Sequence, residues 1–536
     1  MFNKFLTLVC LVLSTFSFCS EWSEVPVSYK GRFRAFEGYR LLAGELFNLK
    51  EADGILPKEL FLIELQFAPF NLVREKKIIP IKNQRLKMIL QLDQNKKIFT
   101  YDQVLKNYTN RFNTTTEQWQ DLERAMNLLS SLKENDLKKS VSYDEVFLRL
   151  LPAKKGKGEW LPLFLLDQSE KNFSAYSDNQ FFEIKEIYQR IKQKFQNNEN
   201  ALEDVELLGK KLKDAYRTIA GTEYIKSNSK FLHYPSLFHL KMEFFYYHYP
   251  WIDSMLLLYA LSILFYFLSF KGCLIFFGSA FSIHTGVLLL RCFILERPPV
   301  SNMFETVIYV PYITACSALI LALINRFRLA LVLSAIISII FLGLLQVTSI
   351  DSGLENVQAV LDSQYWLIIH VLMVVGSYGL FFLAGALGHY YLLANREKAV
   401  ERLILKTLYV ATALLIGGTI LGGVWAAQSW GRFWDWDPKE SWAFISSCIY
   451  LCWIHAYRFG KIRGFGLAIG SVIGLTFISF TWYGVNYILG TGLHSYGFGN
   501  GGEIYFYFYL LAEVLFVTSM IVANRYSKKI SENATS

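Results

Sequence analysis

Residues 252 to 524 consist of long apolar runs joined by short loops, whereas residues 21 to about 245 mix charged and apolar positions at helical spacing. Each run is close to the length of about 20 residues that a helix needs to cross a bilayer. The runs predict nine membrane spans, at 252–270, 273–295, 304–324, 329–348, 365–391, 406–425, 439–457, 464–482 and 504–524. In the front part, Thr114 with Glu117 reads as a capping box opening an amphipathic helix through about Leu132. Further helical patterns run from Phe181 to Phe195 and from Leu202 to Ile219. Where the two regions meet, FFYYHYPW at 244–251 is an aromatic cluster of the kind that anchors at a membrane interface. The expected fold is an all-α polytopic membrane protein of about nine transmembrane helices, residues 246–536, behind a mostly helical soluble domain, residues 21–245.

Composition supports this division, because 53% hydrophobic and 18% charged residues is too apolar for an ordinary soluble protein. Residues 1–20, MFNKFLTLVCLVLSTFSFCS, fit a secretory signal peptide, with an uncleaved signal anchor as the alternative. If the soluble domain is exported, the loops facing the cytoplasm hold thirteen Lys and Arg and the opposite loops hold three, Arg297, Arg432 and Lys439. That asymmetry obeys the positive-inside rule. It places the soluble domain on the extracytoplasmic, periplasmic side of a bacterial cytoplasmic membrane. It also accounts for much of the +9 net charge, so the lipid bilayer is the implied partner and no nucleic acid is needed.

Cys10 and Cys19 lie in the signal, and Cys273, Cys292, Cys316, Cys448 and Cys452 lie in apolar runs. With no C-x-x-C pair and no cysteine in the soluble domain, disulfide exchange is excluded as the chemistry of this chain. The distinctive stretch is WGRFWDWDPKESW, residues 430–442, in an outer loop at about 428–440 between the sixth and seventh spans. Asp437 as N-cap, Pro438 as N1 and Glu440 as N3 form a capping box for the seventh span. The cap leaves Trp430, Phe433, Trp434 and Trp436 unexplained, since an interfacial belt needs only one or two aromatics.

Histidines supply the missing chemistry. His370 lies about five residues into the fifth span, on the order of 8 Å below the outer surface. His494 lies in the outer loop after the eighth span, within GVNYILGTGLHSYGFGNGG. Two imidazoles and an aromatic platform at one level suit a planar metal macrocycle held axially by histidine and stacked on tryptophan, which points to haem. His455 lies inside the seventh span near its cytoplasmic end, where an ionisable group is costly and marks a functional candidate.

Three segments, RPPVSNMFETV, WGRFWDWDPKESW and GVNYILGTGLHSYGF, resemble in order the signatures of the tryptophan-rich haem-handling proteins of cytochrome c assembly, the CcsA (ResC), CcmC and CcmF family, and most of all its CcsA branch. The similarity covers roughly residues 270 to 525. It implies a protein that binds haem b, brings it to the outer face and promotes its thioether attachment to the C-x-x-C-H motif of apocytochrome c. As an enzyme it would be a cytochrome c haem lyase component, working with a CcsB (ResB) membrane subunit. The resemblance makes His370 and His494 the outer axial ligands of the haem iron and His455 a ligand of an inner haem site, with Trp430, Trp434, Trp436 and Asp437 in the binding loop. For the axial partner of His455, His284 in the second span, His389 in the fifth and a histidine of a partner subunit stay open. Arg291 and Arg432 are candidates to pair with haem carboxylates, because Arg presents a forked donor set. A haem exporter without attachment activity and a bis-histidine electron-transfer subunit are the alternative readings. The soluble domain is not part of the core CcsA pattern.

Overall fold

The computed structural model describes residues 22, 25–29, 32–35, 77–81, 83–108, 122, 126, 149–152, 160–163, 166, 175–197, 199–225, 231–347, 354, 364–394, 396–489, 492 and 503–535. The expected signal, the Thr114–Glu117 cap and His494 lie outside them. The chain divides into two compact units, Met1–Tyr249 with Gly353–Asn356, and Pro250–Ser352 with Val357–Ser536.

The first unit combines helices with small antiparallel sheets. Its helices are α1 (Gln84–Ile89), α2 (Tyr101–Tyr108), α3 (Asp178–Gln196), α4 (Leu202–Tyr216) and α5 (Leu237–His248). One sheet has the order β2-β1-β5-β6, from β1 (Pro26–Tyr29), β2 (Arg32–Ala35), β5 (Arg149–Pro152) and β6 (Trp160–Pro162). β3 (Lys77–Pro80) pairs with β4 (Ile98–Thr100), and β7 (Glu223–Ile225) with β8 (Phe231–His233). Strands of three or four residues are too short for period-2 alternation to show in the sequence, so the pattern predicted only the helices. In α3, Ser177 and Gln180 make the capping box, and Phe181, Ile184, Ile187, Tyr188 and Ile191 form the buried stripe. That stripe and the facing one on α4 enclose a core with Trp22 and Trp160. The Trp22 indole donates to the carbonyl of Val205 at 2.7 Å, so the ring is buried with its polar atom satisfied.

Among the described residues, the regular elements of the second unit are all helices. Its long helices are α6 (Trp251–Leu268), α7 (Phe270–Leu295), α8 (Met303–Leu323), α9 (Leu329–Val347), α10 (Leu372–Leu393), α11 (Lys398–Trp430), α12 (Pro438–Arg458), α13 (Gly464–Ser479) and α14 (Glu503–Thr535). They stand at the positions of the nine expected spans. Among the described residues, eight helices are long and apolar enough to cross a membrane. α12 has the length, but Lys439, Glu440, His455 and Arg458 make it less apolar. Two π-helical segments interrupt the bundle: Leu367–Val371, entered from the helical turn Gln364–Trp366 and running into α10, and Phe480–Leu489, which continues α13.

A buried ion cluster ties α7 to the start of α8. Glu305 is fully buried and takes Arg291 on one carboxylate oxygen and Arg297 on the other, each at 2.9 Å. The Ser301 N–H and hydroxyl also donate to Glu305, and Asn302 caps the helix by accepting from the Glu305 N–H at 2.9 Å. Removing one member of such a cluster strands the remaining charges in an apolar medium, at a cost of about 3–5 kcal/mol. Glu305→Ala is expected to lower the thermal-unfolding midpoint of the detergent-purified protein sharply. An unchanged midpoint would show that the cluster adds nothing to stability.

Candidate functional site

The tryptophan-rich loop is folded by its own charges. α11 ends at Gly431, whose φ of 71° is the left-handed conformation that closes a helix and whose N–H donates to the Ala427 carbonyl at 3.1 Å. Arg432 then turns back, its guanidinium 5.4 Å over the Trp430 ring, 3.3 Å from Asp435 and 3.1 Å from Glu440. The second oxygen of Glu440 accepts from the N–H groups of Asp435 at 2.9 Å and Asp437 at 3.2 Å. The Asp437 side chain in turn accepts from the Lys439 N–H at 3.0 Å, completing the expected capping box with Pro438 at N1. Trp434 and Trp436 meet edge to face at 5.9 Å. Trp436 sits at φ 57°, an uncommon conformation for a bulky residue, and is 69% exposed.

His370 arrives from the other side, on the π-helical segment Leu367–Val371. Its Nδ1 lies 2.7 Å from the Gly418 carbonyl, which can only accept, so Nδ1 carries a proton. Bound metals commonly find histidine in this arrangement, one nitrogen donating to a backbone carbonyl and the other facing the metal. The imidazole packs directly against Gly422, where a Cβ would come within 2.5 Å of the ring, and Phe433 packs as closely on Gly423. The Trp366 indole donates to the Gln428 side chain at 2.9 Å, fixing the π-helical segment to α11.

Between these elements lies a cavity of about 210 Å³, lined by His370, Trp425, Trp434, Lys439, Trp482 and Asn486 among others. The Trp425 ring is 5.8 Å from His370. Lys439 reaches from the first turn of α12 to the π-helical segment of α13, donating to the carbonyls of Thr481 at 3.0 Å and Trp482 at 2.9 Å. Ser446 and Thr481 share a hydrogen bond of 2.8 Å. Gly492, two residues before His494, packs so closely on Asp437 and Pro438 that a side chain there would strike them.

The structure thus brings His370 and Trp434 to one cavity, with Trp430, Trp436 and Asp437 in the loop beside it. His284, Arg291 and His455 are elsewhere. His284 is fully buried, with Nε2 on the Ile308 carbonyl at 2.9 Å and Nδ1 accepting from the Tyr259 hydroxyl at 3.1 Å. His389 likewise has both ring nitrogens engaged, Nδ1 by the Gly385 carbonyl at 2.8 Å and Nε2 by Glu513 at 3.1 Å. His455 is exposed on α12 and donates from Nδ1 to Leu451 O at 2.7 Å. Arg291 and Arg432 meet acids of this chain, Glu305 in one case and Asp435 with Glu440 in the other. Reading the sequence overlooked Lys439, Asn486, Trp425 and Trp482. The glycines of GGTILGG, residues 417–423, were an available signal, because glycine in an apolar helix marks close approach by another group.

Residues 250–494 match the family model described as Cytochrome C assembly protein. That stretch, a little under half of the chain, is similar to this family. Protein NrfI of Wolinella succinogenes is 33% identical over 233 residues, which are 41% of this chain and 25% of NrfI. The chain therefore spans only a quarter of that relative. The cytochrome c biogenesis protein CcsA of Parasynechococcus marenigrum is 28% identical over 256 residues, 40% of this chain and 82% of that protein. Among solved structures, Cytochrome c Heme Lyase CcmF matches 51% of this chain and 49% of its own, with 15% identity and a TM-score of 0.39.

The cap of α12 gives a stability test of the loop. Asp437→Ala removes the acceptor for the Lys439 N–H and should cost about 1 kcal/mol, while Asp437→Asn, which caps equally well, should stay near wild type. Thermal midpoints of the two variants in one detergent check this, and equal losses would show that Asp437 acts by its charge.

Proposed function

We propose that the chain is the haem-handling component of a cytochrome c haem lyase, which holds haem b at the tryptophan-rich loop and presents it to the C-x-x-C-H motif of apocytochrome c. The observation that carries this reading is His370, its Nδ1 bonded to Gly418 O and its ring lining a tryptophan-walled cavity inside the family-matched region. The residues fit the group: an imidazole that lines the cavity with Nδ1 on a backbone carbonyl, indole surface, and a buried polar atom, Asn486 Oδ1, without a partner. When bound, haem supplies the iron that the imidazoles ligate and the vinyl groups to which the substrate thiols add.

In this account the chain's own residues bind and orient. His370 and His494 would ligate the iron, and the close packing of Gly492 on Asp437 supports bringing His494, two residues on, to the same site. Trp434 and Trp436 offer aromatic surface, with Trp436 exposed where a substrate peptide would arrive. The work is proximity and orientation, which need no nucleophilic side chain from the protein. Arg432 and Glu440 keep the loop in shape, and Arg291 braces the start of α8 through Glu305.

His455 takes the inner haem. Its Nδ1 donor and outward position leave Nε2 for a ligand approaching from outside the bundle, whereas His284 and His389 have both nitrogens engaged. We therefore assign the second inner ligand to a partner membrane subunit of the CcsB (ResB) type, and packing roles to His284 and His389. The soluble unit and the tryptophan-rich loop face the periplasm, and a signal peptide directs export.

Spectra of the purified protein, oxidised and reduced, test this together with cytochrome maturation in cells. His370→Ala and His494→Ala should each abolish holocytochrome c formation, and the double variant should lose the outer bis-histidine haem signal. His455→Ala should show a separate haem deficit. Wild-type attachment in either outer variant would sink the assignment, and intact haem delivery without attachment in reconstitution would favour an exporter.

A further inference from the structure

We infer that Lys439, with Asn486, forms a carboxylate-binding end of the cavity, which takes an anionic side group of the flat aromatic cargo. The inference rests on the haem reading above and goes beyond it by assigning the polar contact. Every other cation near the site is matched by an acid of this chain: Arg432 by Asp435 and Glu440, Arg291 and Arg297 by Glu305. Lys439 differs. Its ammonium lines the cavity and donates to two backbone carbonyls, but among the described residues no carboxylate lies within ion-pair distance of it.

An ammonium has three hydrogens, and two neutral carbonyls satisfy only two of them. Asp437, two residues away, acts on the ammonium through its field but makes no ion pair with it, and a half-buried charge without an ion-pair partner is unfavourable unless a ligand brings one. Beside it, Asn486 is 8% exposed, lines the same cavity, and its side-chain oxygen is buried without a hydrogen-bond partner. An amide can turn about its last bond to offer N–H in place of oxygen. Ammonium and amide together make a donor pair suited to a carboxylate, and Lys439 is the cation free to take it. The Thr481 and Trp482 carbonyls hold the lysine chain in place, so the charge is oriented before the ligand arrives.

The test compares binding of zinc protoporphyrin IX and its dimethyl ester, followed by quenching of tryptophan fluorescence, on the full-length protein purified from haem-depleted cells. Wild type should prefer the free acid, and Lys439→Met should reduce that preference by about tenfold or more, the worth of a charged hydrogen bond. Asn486→Leu, which disturbs neither carbonyl, should reduce it in the same direction and carries the test if Lys439→Met does not accumulate. A preference unchanged in the variants, or absent from wild type, overturns the inference. His370→Ala controls for the underlying reading: it should weaken both porphyrins equally. No effect of His370→Ala, or no binding of either porphyrin by wild type, removes the cavity reading and this inference with it.

Discussion

The site depends on one carboxylate. Glu440 accepts the Arg432 guanidinium on one oxygen and two backbone N–H groups of the loop on the other. Each bond of this charged kind is worth about 1.5–3 kcal/mol, enough together to hold a seven-residue turn that includes Trp436 in a left-handed conformation. Because Glu440 is also N3 of α12, the contacts that shape the loop set where the helix starts. The helix start in turn directs Lys439 across to Thr481 and Trp482. Loop, helix and the start of the second π-helical segment are thereby tied together.

The opposite wall uses backbone in place of charge. His370 stands on a π-helical segment, and the glycines at 418, 422 and 423 let Val374, the imidazole and Phe433 lie directly on the α11 backbone. A π-helical turn is poorer in packing than an α-helical one and recurs at functional sites. The indole of Trp366 and the carbonyl of Gly418 brace it on either side of the histidine. The second π-helical segment, Phe480–Leu489, is gripped by Lys439 and donates from its own Thr481 hydroxyl to the Trp442 carbonyl of α12. Both π-helical segments thus depart from regular α-helix and are held by contacts with α11 or α12.

Much of this was legible in the sequence. The membrane helices and the cap of α12 follow from apolar run length and from the D-P-K-E pattern, because those signals are local. The strands of the first unit were not legible, being too short to show a period and defined by partners far along the chain. Neither were the partners of the arginines. Arg291 lies fourteen residues from Glu305 across a loop, and no pattern in sequence announces that pairing. The histidines divide in the same way: the sequence leaves His284 and His389 open as partners of His455, whereas only the folded chain reveals that Tyr259 and Ile308 engage both nitrogens of His284. Lys439 looked like part of a cap, and its reach to α13 belongs to tertiary structure alone.

The central claim is that the cavity behind the tryptophan-rich loop holds haem on His370. Cryo-electron microscopy of the full-length protein, purified with its haem in lipid nanodiscs, tests it most directly. The account predicts density for the macrocycle between the Trp434 and Trp425 sides of the cavity, with iron bonded to His370 Nε2 while Nδ1 keeps its bond to Gly418 O. A haem-loaded preparation in which this cavity holds no macrocycle, or in which His370 does not contact the iron, would contradict it.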